Sequence, residues 1–396
     1  MIHVANHLNR MKANLSKSNE LIKFNDLNSV DGPMLKDFQN ALEKIIDRSA
    51  YVLGEEISHF EEELRISENA DFAVAVNSGT SALIIALKAL GIGQGDEVIT
   101  TNLTFVATCF AILEVGAVPV LVDVDPSTLI LNPKLLMNSL TKKTKAMIIV
   151  TLHGRADHLT EFREFSLANN LKLIIDGAQS QMAKYHKSTL VNYCDLLTLS
   201  FYPGKNLGSL GEGGCVLGKN SNLGSEIALM RNWGMKEKYV ATSWGGNFRI
   251  ENLQAAFLRI KLKNLNELTQ LRIEKAAYYF EKLPGSMLLK KPLELGSHVY
   301  HIFSIKTKKR NQLIEKFKEE KIEFGIHYPV PISQQPYYKY KCKNLSKLNV
   351  SEEVSQEILS IPFYPLIPYP DMDRVINVIT KFEDNEFFSK NQQFLH

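Results

Sequence analysis

A lysine in a tight loop is the first feature of this sequence that could do chemistry. Lys205 lies in Ser200-Phe201-Tyr202-Pro203-Gly204-Lys205-Asn206-Leu207-Gly208, straight after an apolar run and just before Gly211-Glu212-Gly213-Gly214. Most lysines are solvated surface charges. One held at a sheet edge loses part of its hydration, its pKa falls, and its amine becomes a nucleophile. The loop is not a P-loop: Leu199 stands where a glycine is needed, and Asn206 where Ser or Thr must follow the lysine. An acid comes next. Leu173-Ile174-Ile175-Asp176-Gly177-Ala178-Gln179 reads as a buried strand ending in a carboxylate, at the edge where α/β proteins bind ligands. Asp176 there can hold a cationic nitrogen, although a helix cap or a metal-binding acid fits the residue alone equally well. In Asn77-Ser78-Gly79-Thr80-Ser81 a strand gives way to a small turn and an apolar helix, whose free N–H groups suit a phosphate or simply an N-cap. Thr104-Phe105 offers an aromatic ring for stacking or for the core. Gly245-Gly246-Asn247-Phe248-Arg249, with Glu251 and Gln254 behind it, has two side chains, Asn247 and Arg249, that suit an anion; a capping loop would look the same.

These segments fall in an alternating frame. Strands are predicted at Phe72–Val76, Glu97–Thr101, Val118–Val124, Ala146–Thr151, Leu171–Ile175, Leu196–Phe201 and Gly214–Leu217, seven within residues 72–218. Helical spacing lies between several of them, at Thr80–Leu90, Phe105–Val115 and Leu159–Asn169. Such alternation predicts a three-layer α/β fold with a mostly parallel seven-stranded sheet. Before it, residues 34–66 read as two helices separated at Gly54. After it, residues 249–283 read as one long helix with Asn264 interrupting its apolar stripe, followed by a smaller α+β domain. In that domain Val299–Ile305 and Phe324–Ile326 are strand-like, and Asn311–Glu320 and Ser351–Leu359 helical. The domain reading is an N-terminal arm (1–23), a large domain (24–250), a linking helix and small domain (251–384), and a polar, mobile tail (385–396). Gly91-Ile92-Gly93-Gln94-Gly95 imitates a dinucleotide fingerprint but follows a helix and precedes a strand, so it reads as a turn.

The chain of 396 residues has a formal net charge of +3, too little basic excess for a dedicated nucleic-acid binder. It has no apolar run long enough for a secretory signal or a membrane span, so a cytoplasmic protein without membrane or nucleic-acid partners is expected. Its four cysteines, Cys109, Cys194, Cys215 and Cys342, show no C-x-x-C spacing and read as buried thiols. His298 and His301 lack a third ligand, and no metal is expected.

Taken together, the text VNSGTSALIIALKALGIGQGDEVITTNLTFVAT, VPVLVDVDPSTL, IIDGAQS, SFYPGKNLGSLGEGG, RNWG, GNFRIENLQAAFL, GIHYPVP and ILSIPFYP resembles the pyridoxal-phosphate nucleotide-sugar aminotransferases of the DegT/DnrJ/StrS type. Those have the aspartate aminotransferase fold (type I), and the resemblance runs from about Phe24 to Phe382. It implies that Lys205 bonds covalently to pyridoxal 5'-phosphate and that Asp176 pairs with its ring nitrogen. Gln179 would sit near the ring hydroxyl, Phe105 would stack on the ring, and Gly79, Thr80, Ser81 and Ser200 would bind its phosphate. Asn247 would reach the phosphate of the neighbouring subunit, which implies a homodimer with shared active sites. His327 and Tyr328 would lie near the sugar nucleotide, with Arg249 as a further substrate contact. The implied reaction moves an amino group from an amino acid, glutamate first among donors, to a nucleotide-linked keto-sugar in deoxyaminosugar and polysaccharide biosynthesis.

Gly204 before the lysine resembles the dTDP-keto-deoxysugar 3-aminotransferases, which tilts the expectation toward a 3-keto-6-deoxyhexose. Ser180-Gln181-Met182-Ala183 and His153 depart from the small AHGA-like run and the tyrosine common in the family. The rival readings are a sugar dehydratase on the same scaffold, which would replace the lysine, and a regulatory homologue that has lost turnover. A plain dinucleotide reductase is disfavoured by its misplaced glycines.

Overall fold

The computed structural model describes residues 20–393 apart from position 293, with the backbone alone described for 384–393. Most of the expected arm, and the end of the expected tail, lie outside the described residues. The main sheet contains β1 (Phe72–Val76), β2 (Glu97–Thr101), β3 (Val118–Val122), β4 (Thr144–Val150), β5 (Lys172–Asp176), β6 (Leu196–Ser200) and β7 (Gly214–Gly218). Three further strands follow: β8 (Phe303–Lys306), β9 (Lys343–Asn344) and β10 (Ile358–Ile361). The order across the main sheet is β1-β7-β6-β5-β4-β2-β3-β9, an eight-stranded sheet in which β7 alone runs against its neighbours. The seven expected strands are all present. The eighth, β9, is a two-residue addition that pairs parallel with β3 at the edge.

Parallel strands buried on both faces must be apolar throughout, and period-two alternation sends their side chains to opposite cores. Ile148 of β4 and Ile174 of β5 join Val74, Val98, Leu196 and Val216 on one face. Met147, Ile149, Leu173 and Ile175 join Ile99, Val120, Leu197 and Leu217 on the other. Helices cover both sides: α1 (Leu35–Asp47), α2 (Glu55–Ser67), α3 (Gly79–Ala89), α4 (Val106–Glu114), α5 (Leu159–Ala168) and α6 (Ser221–Arg231). α3 is apolar almost all round, and residues 81–87 are all buried. That is the pattern of a helix enclosed by protein on every side.

The single helix expected over 249–283 is two: α7 (Asn252–Leu262) and α8 (Leu265–Lys282), with Asn264 as the N-cap of the second. Asparagine competes for backbone hydrogen bonds and favours caps over helix interiors, so the polar interruption of the stripe falls where one helix ends and the next begins. The small domain adds α9 (Arg310–Glu319), α10 (Asn349–Glu357) and α11 (Tyr369–Gln393) around β8 and β10, which pair antiparallel. Its core gathers Tyr279, Phe303, Phe317, Leu359 and Ile376. Two local expectations shift here. Phe324–Ile326 makes only a bridge from Gly325 to Ser360. The helix expected over Ser351–Leu359 stops at Glu357, where the chain turns into β10.

Candidate functional site

Five strands end at one crevice. The turn after β1 (Ser78–Thr80), the loop after β2 (Thr104, Phe105), the ends of β4, β5 and β6, and Lys205 line a cavity of about 680 Å³. Carboxyl ends of parallel strands are where open α/β sheets bind ligands. The remaining wall comes from Phe24 and Asn25, from His301 and Ile302, and from His327, Tyr328 and Phe363 of the small domain.

Asp176 closes β5 and is buried. Its Oδ2 accepts a hydrogen bond from Thr108 Oγ1 at 2.9 Å, and its Oδ1 one from the Ala178 amide at 3.2 Å. Thr108 is itself paired with Thr104 at 2.9 Å. Burial raises the Asp176 pKa, while Thr108, Ala178 and the charge of Lys205 oppose the rise. Burial brings Lys205 down to about 8, against the pull of Asp176. An amine and a carboxylate therefore share one desolvated cavity, each moved from its ordinary range by the loss of water.

The wall beside them is polar and fixed. Gln179 Oε1 accepts from the His153 amide at 2.5 Å, and its Nε2 donates to the Tyr328 hydroxyl at 3.3 Å. His327 Nδ1 pairs with Ser360 Oγ at 2.9 Å, and its ring stacks on Phe24. Burial and the neighbouring Lys205 hold His327 at about 4, so it is neutral in the working range. His301 is held well below its usual pKa by burial, then by Lys205 and Arg272, and its Nδ1 is buried without a partner. Tyr328, buried beside Asp176, is pushed up.

The mouth of α3 forms a cradle. Ser78 caps the helix, accepting from the Ser81 amide at 3.0 Å, and its hydroxyl meets Ser81 Oγ at 2.9 Å. The amides of Gly79 and Thr80 belong to the first turn, which has no intrahelical acceptors. A Cβ on Gly79 would lie 2.7 Å from Ser200 Cβ, and one on Gly214 2.3 Å from the Ser78 carbonyl oxygen. Only glycines let the turn, Ser200 and β7 approach this closely. An amide-lined turn, a serine hydroxyl, a buried acid, a desolvated amine and an aromatic ring together fit a planar phosphate ester with a cationic ring nitrogen.

Of the residues expected at a site, Gly79, Thr80, Phe105, Asp176, Gln179, Ser200, Lys205, His327 and Tyr328 line this cavity. Ser81 instead serves the cap of α3. Arg249 lies outside the cavity lining, its Nη1 donating to Asn232 Oδ1 at 2.8 Å. Asn247 is exposed, and its carbonyl accepts from Asn77 Nδ2 at 3.2 Å. Thr108, Phe24 and Phe363 went unmarked in the sequence, and His301 was weighed there only as a metal ligand. Thr108 carried a signal, since it follows Thr104 by one helical turn on the helix that Phe105 opens. Phe24 and Phe363 carried none. His298, considered as a metal ligand, stacks on Tyr300 with centroids 3.9 Å apart and accepts from its amide.

Residues 34–380 match the DegT/DnrJ/EryC1/StrS aminotransferase family. The chain belongs to the DegT/DnrJ/EryC1/StrS aminotransferase family. It is 32% identical over 365 residues to the dTDP-3-amino-3,4,6-trideoxy-alpha-D-glucose transaminase of Streptomyces venezuelae, covering 92% of this chain and 96% of that protein. The S. venezuelae DesV crystal structure superposes with a TM-score of 0.89 at 32% identity, covering 92% of this chain and 99% of DesV. NtdA from Bacillus subtilis, crystallised with the cofactor PMP, superposes with a TM-score of 0.84 at 28% identity over 93% of this chain and 86% of NtdA. Among the described residues, no helix is long and apolar enough to cross a membrane.

Proposed function

We propose that this aminotransferase uses pyridoxal 5'-phosphate to move an amino group from glutamate to a nucleotide-linked keto-sugar. The sugar is a 3-keto-6-deoxyhexose, carried on dTDP. The observation that carries the reading is the pairing of a desolvated Lys205 with a buried, hydrogen-bonded Asp176 at one sheet edge, beside the cradle of Gly79, Thr80 and Ser200. The 3-amino sugar in the name of the Streptomyces venezuelae relative supports the position on the ring.

Lys205 would hold the cofactor covalently, Asp176 its ring nitrogen, and Gly79, Thr80 and Ser200 its phosphate. Phe105 would lie against the ring and Gln179 near the ring hydroxyl. When bound, the cofactor supplies a sink for the electrons left on a substrate carbon that has lost its proton. The chain does the rest. Asp176, whose carboxylate accepts from Thr108 and Ala178 against the effect of burial, would keep a positive charge on the ring nitrogen. With its pKa near 8, Lys205 has a neutral fraction near neutral pH and can take a proton from the donor's α-carbon and return one to the sugar carbon. Neutral His327 and the Tyr328 hydroxyl offer hydrogen bonds to sugar hydroxyls without adding charge. The aromatic wall of Phe24, Phe105, Tyr202 and Phe363 limits water at the reacting carbon. A second copy of the chain completes each site with its Asn247.

The test is incubation with glutamate and a panel of keto-sugar nucleotides, followed by mass spectrometry. The aminated 3-keto-6-deoxyhexose nucleotide and 2-oxoglutarate are expected together. Lys205→Ala should lose turnover by at least about a thousandfold, together with the cofactor's visible absorption. Unchanged turnover in Lys205→Ala would remove the lysine from the chemistry.

A further inference from the structure

Cys109 and Cys342 are far apart in the sequence and together in the fold. Cys109 lies in α4, fully buried in an apolar cluster with Leu121, Ile332, Tyr338 and Leu348. Cys342, partly exposed and just ahead of the edge strand β9, packs onto the same cluster, which brings it beside Cys109. The other two cysteines face the backbone instead, Cys194 toward the Leu190 carbonyl at 3.6 Å and Cys215 toward that of Val216 at 3.6 Å.

We propose that Cys109 and Cys342 are a redox pair that closes to a reversible intramolecular disulfide when the protein meets a peroxide. The neighbouring Cys109 side chain lowers the Cys342 pKa, while Cys342 and then burial raise that of Cys109. The partly exposed thiol is therefore also the more readily ionised one. The Cys342 thiolate attacks one peroxide oxygen, the O–O bond breaks, and hydroxide leaves, giving a sulfenic acid at Cys342. The Cys109 sulfur then attacks the Cys342 sulfur. The S–S bond forms, the S–O bond breaks, and the Cys109 proton leaves with the hydroxyl as water. The sum is two thiols and hydrogen peroxide giving a disulfide and two waters. Both side chains belong to one apolar cluster, so a local approach of the two sulfurs reaches the S–S length of about 2.05 Å. The bond would join α4, whose Thr108 steadies Asp176, to the segment that follows His327 and Tyr328, tying two walls of the cavity.

The test is thiol counting and peptide mapping of the full chain after mild hydrogen peroxide and rapid alkylation. Two of the four thiols should be lost. A tryptic product should join the Cys109 and Cys342 peptides, and dithiothreitol should restore all four thiols. In Cys109→Ala the reaction should stop at a dimedone-reactive Cys342, and in Cys342→Ser no cross-link should form and Cys109 should stay reduced. Retention of all four thiols, a cross-link between chains, or direct over-oxidation of Cys342 in the unsubstituted protein would overturn the proposal. None of these readouts needs turnover, so they stand apart from the substrate assignment.

Discussion

Burial alone would push the Asp176 carboxylate toward its neutral form, which could not hold a cationic nitrogen. Two donors resist this, and the side-chain donor is Thr108. Thr108→Val keeps the shape and removes the hydroxyl. One hydrogen bond to a charged group is worth about 1.5–3 kcal/mol, or one to two pKa units. The acidic limb of the kcat profile should therefore move to higher pH by about one unit, with the melting temperature nearly unchanged. A uniform drop in kcat with no movement of that limb would make Thr108 merely structural. Gly204 shows the opposite kind of residue. A Cβ there would find nothing closer than 3.8 Å, on the Tyr202 ring, so the backbone does not require glycine at this position. What its missing side chain leaves is room in the cavity beside Lys205.

At the scale of elements, Glu68 joins the end of α2 to the loop that follows Asp176. It is 1% exposed, and its Oε1 accepts from the Met182 amide at 2.9 Å. Burial raises its pKa to about 7, against an ordinary 4.5. Between those values the folded chain keeps a proton that the unfolded chain has lost. Stability therefore falls as pH rises from about 4.5 through about 7, by up to about 3 kcal/mol, and stays lower above. Glu68→Gln keeps the acceptor and removes the ionisation. Its melting temperature should exceed the parent's by a few degrees at pH 8 and match it at pH 4.5. Equal melting temperatures at both pH values would show that this ionisation does not limit stability. Such coupling was invisible in the sequence, where Glu68 is one more acid at a helix end. The seven strands, by contrast, were legible to within two residues, because a strand buried on both faces must be written in apolar runs. The residues at or just past the ends of those runs, Asp176, Ser200 and Lys205, were legible for the same reason. β9 was not, being two polar residues whose pairing partner lies more than two hundred positions away. Nor were Phe363 and Phe24, which reach the cavity from distant segments with no local pattern to mark them.

Taken as a whole, a single chain leaves two implied cofactor contacts off its cavity, Ser81 and Asn247, and of these only Asn247 is exposed. Asn247 is exposed and outside its own cavity, while every other implied contact except Ser81 and Arg249 lines it. The chain leading to Asn247 carries Trp233, Tyr239, Val240 and Trp244 on its surface, with Tyr239 85% exposed. Large apolar side chains gathered on one surface segment are a mark of an interface. A twofold pair would cover this segment and could carry Asn247 to the partner's cradle, the arrangement expected from the family resemblance. The arrangement makes a quantitative prediction for mixed variants. Lys205→Ala and Asn247→Ala are each impaired alone. If the two residues serve one site from different chains, a mixed dimer holds one site with both lesions and one with none. Random exchange makes half the dimers mixed, so about a quarter of the parental activity should return. If Asn247 serves its own chain's site, mixing yields only the average of the two defective proteins. Refolding equal amounts of the two variants together and measuring turnover decides between these outcomes, and recovery well above that average requires the shared site.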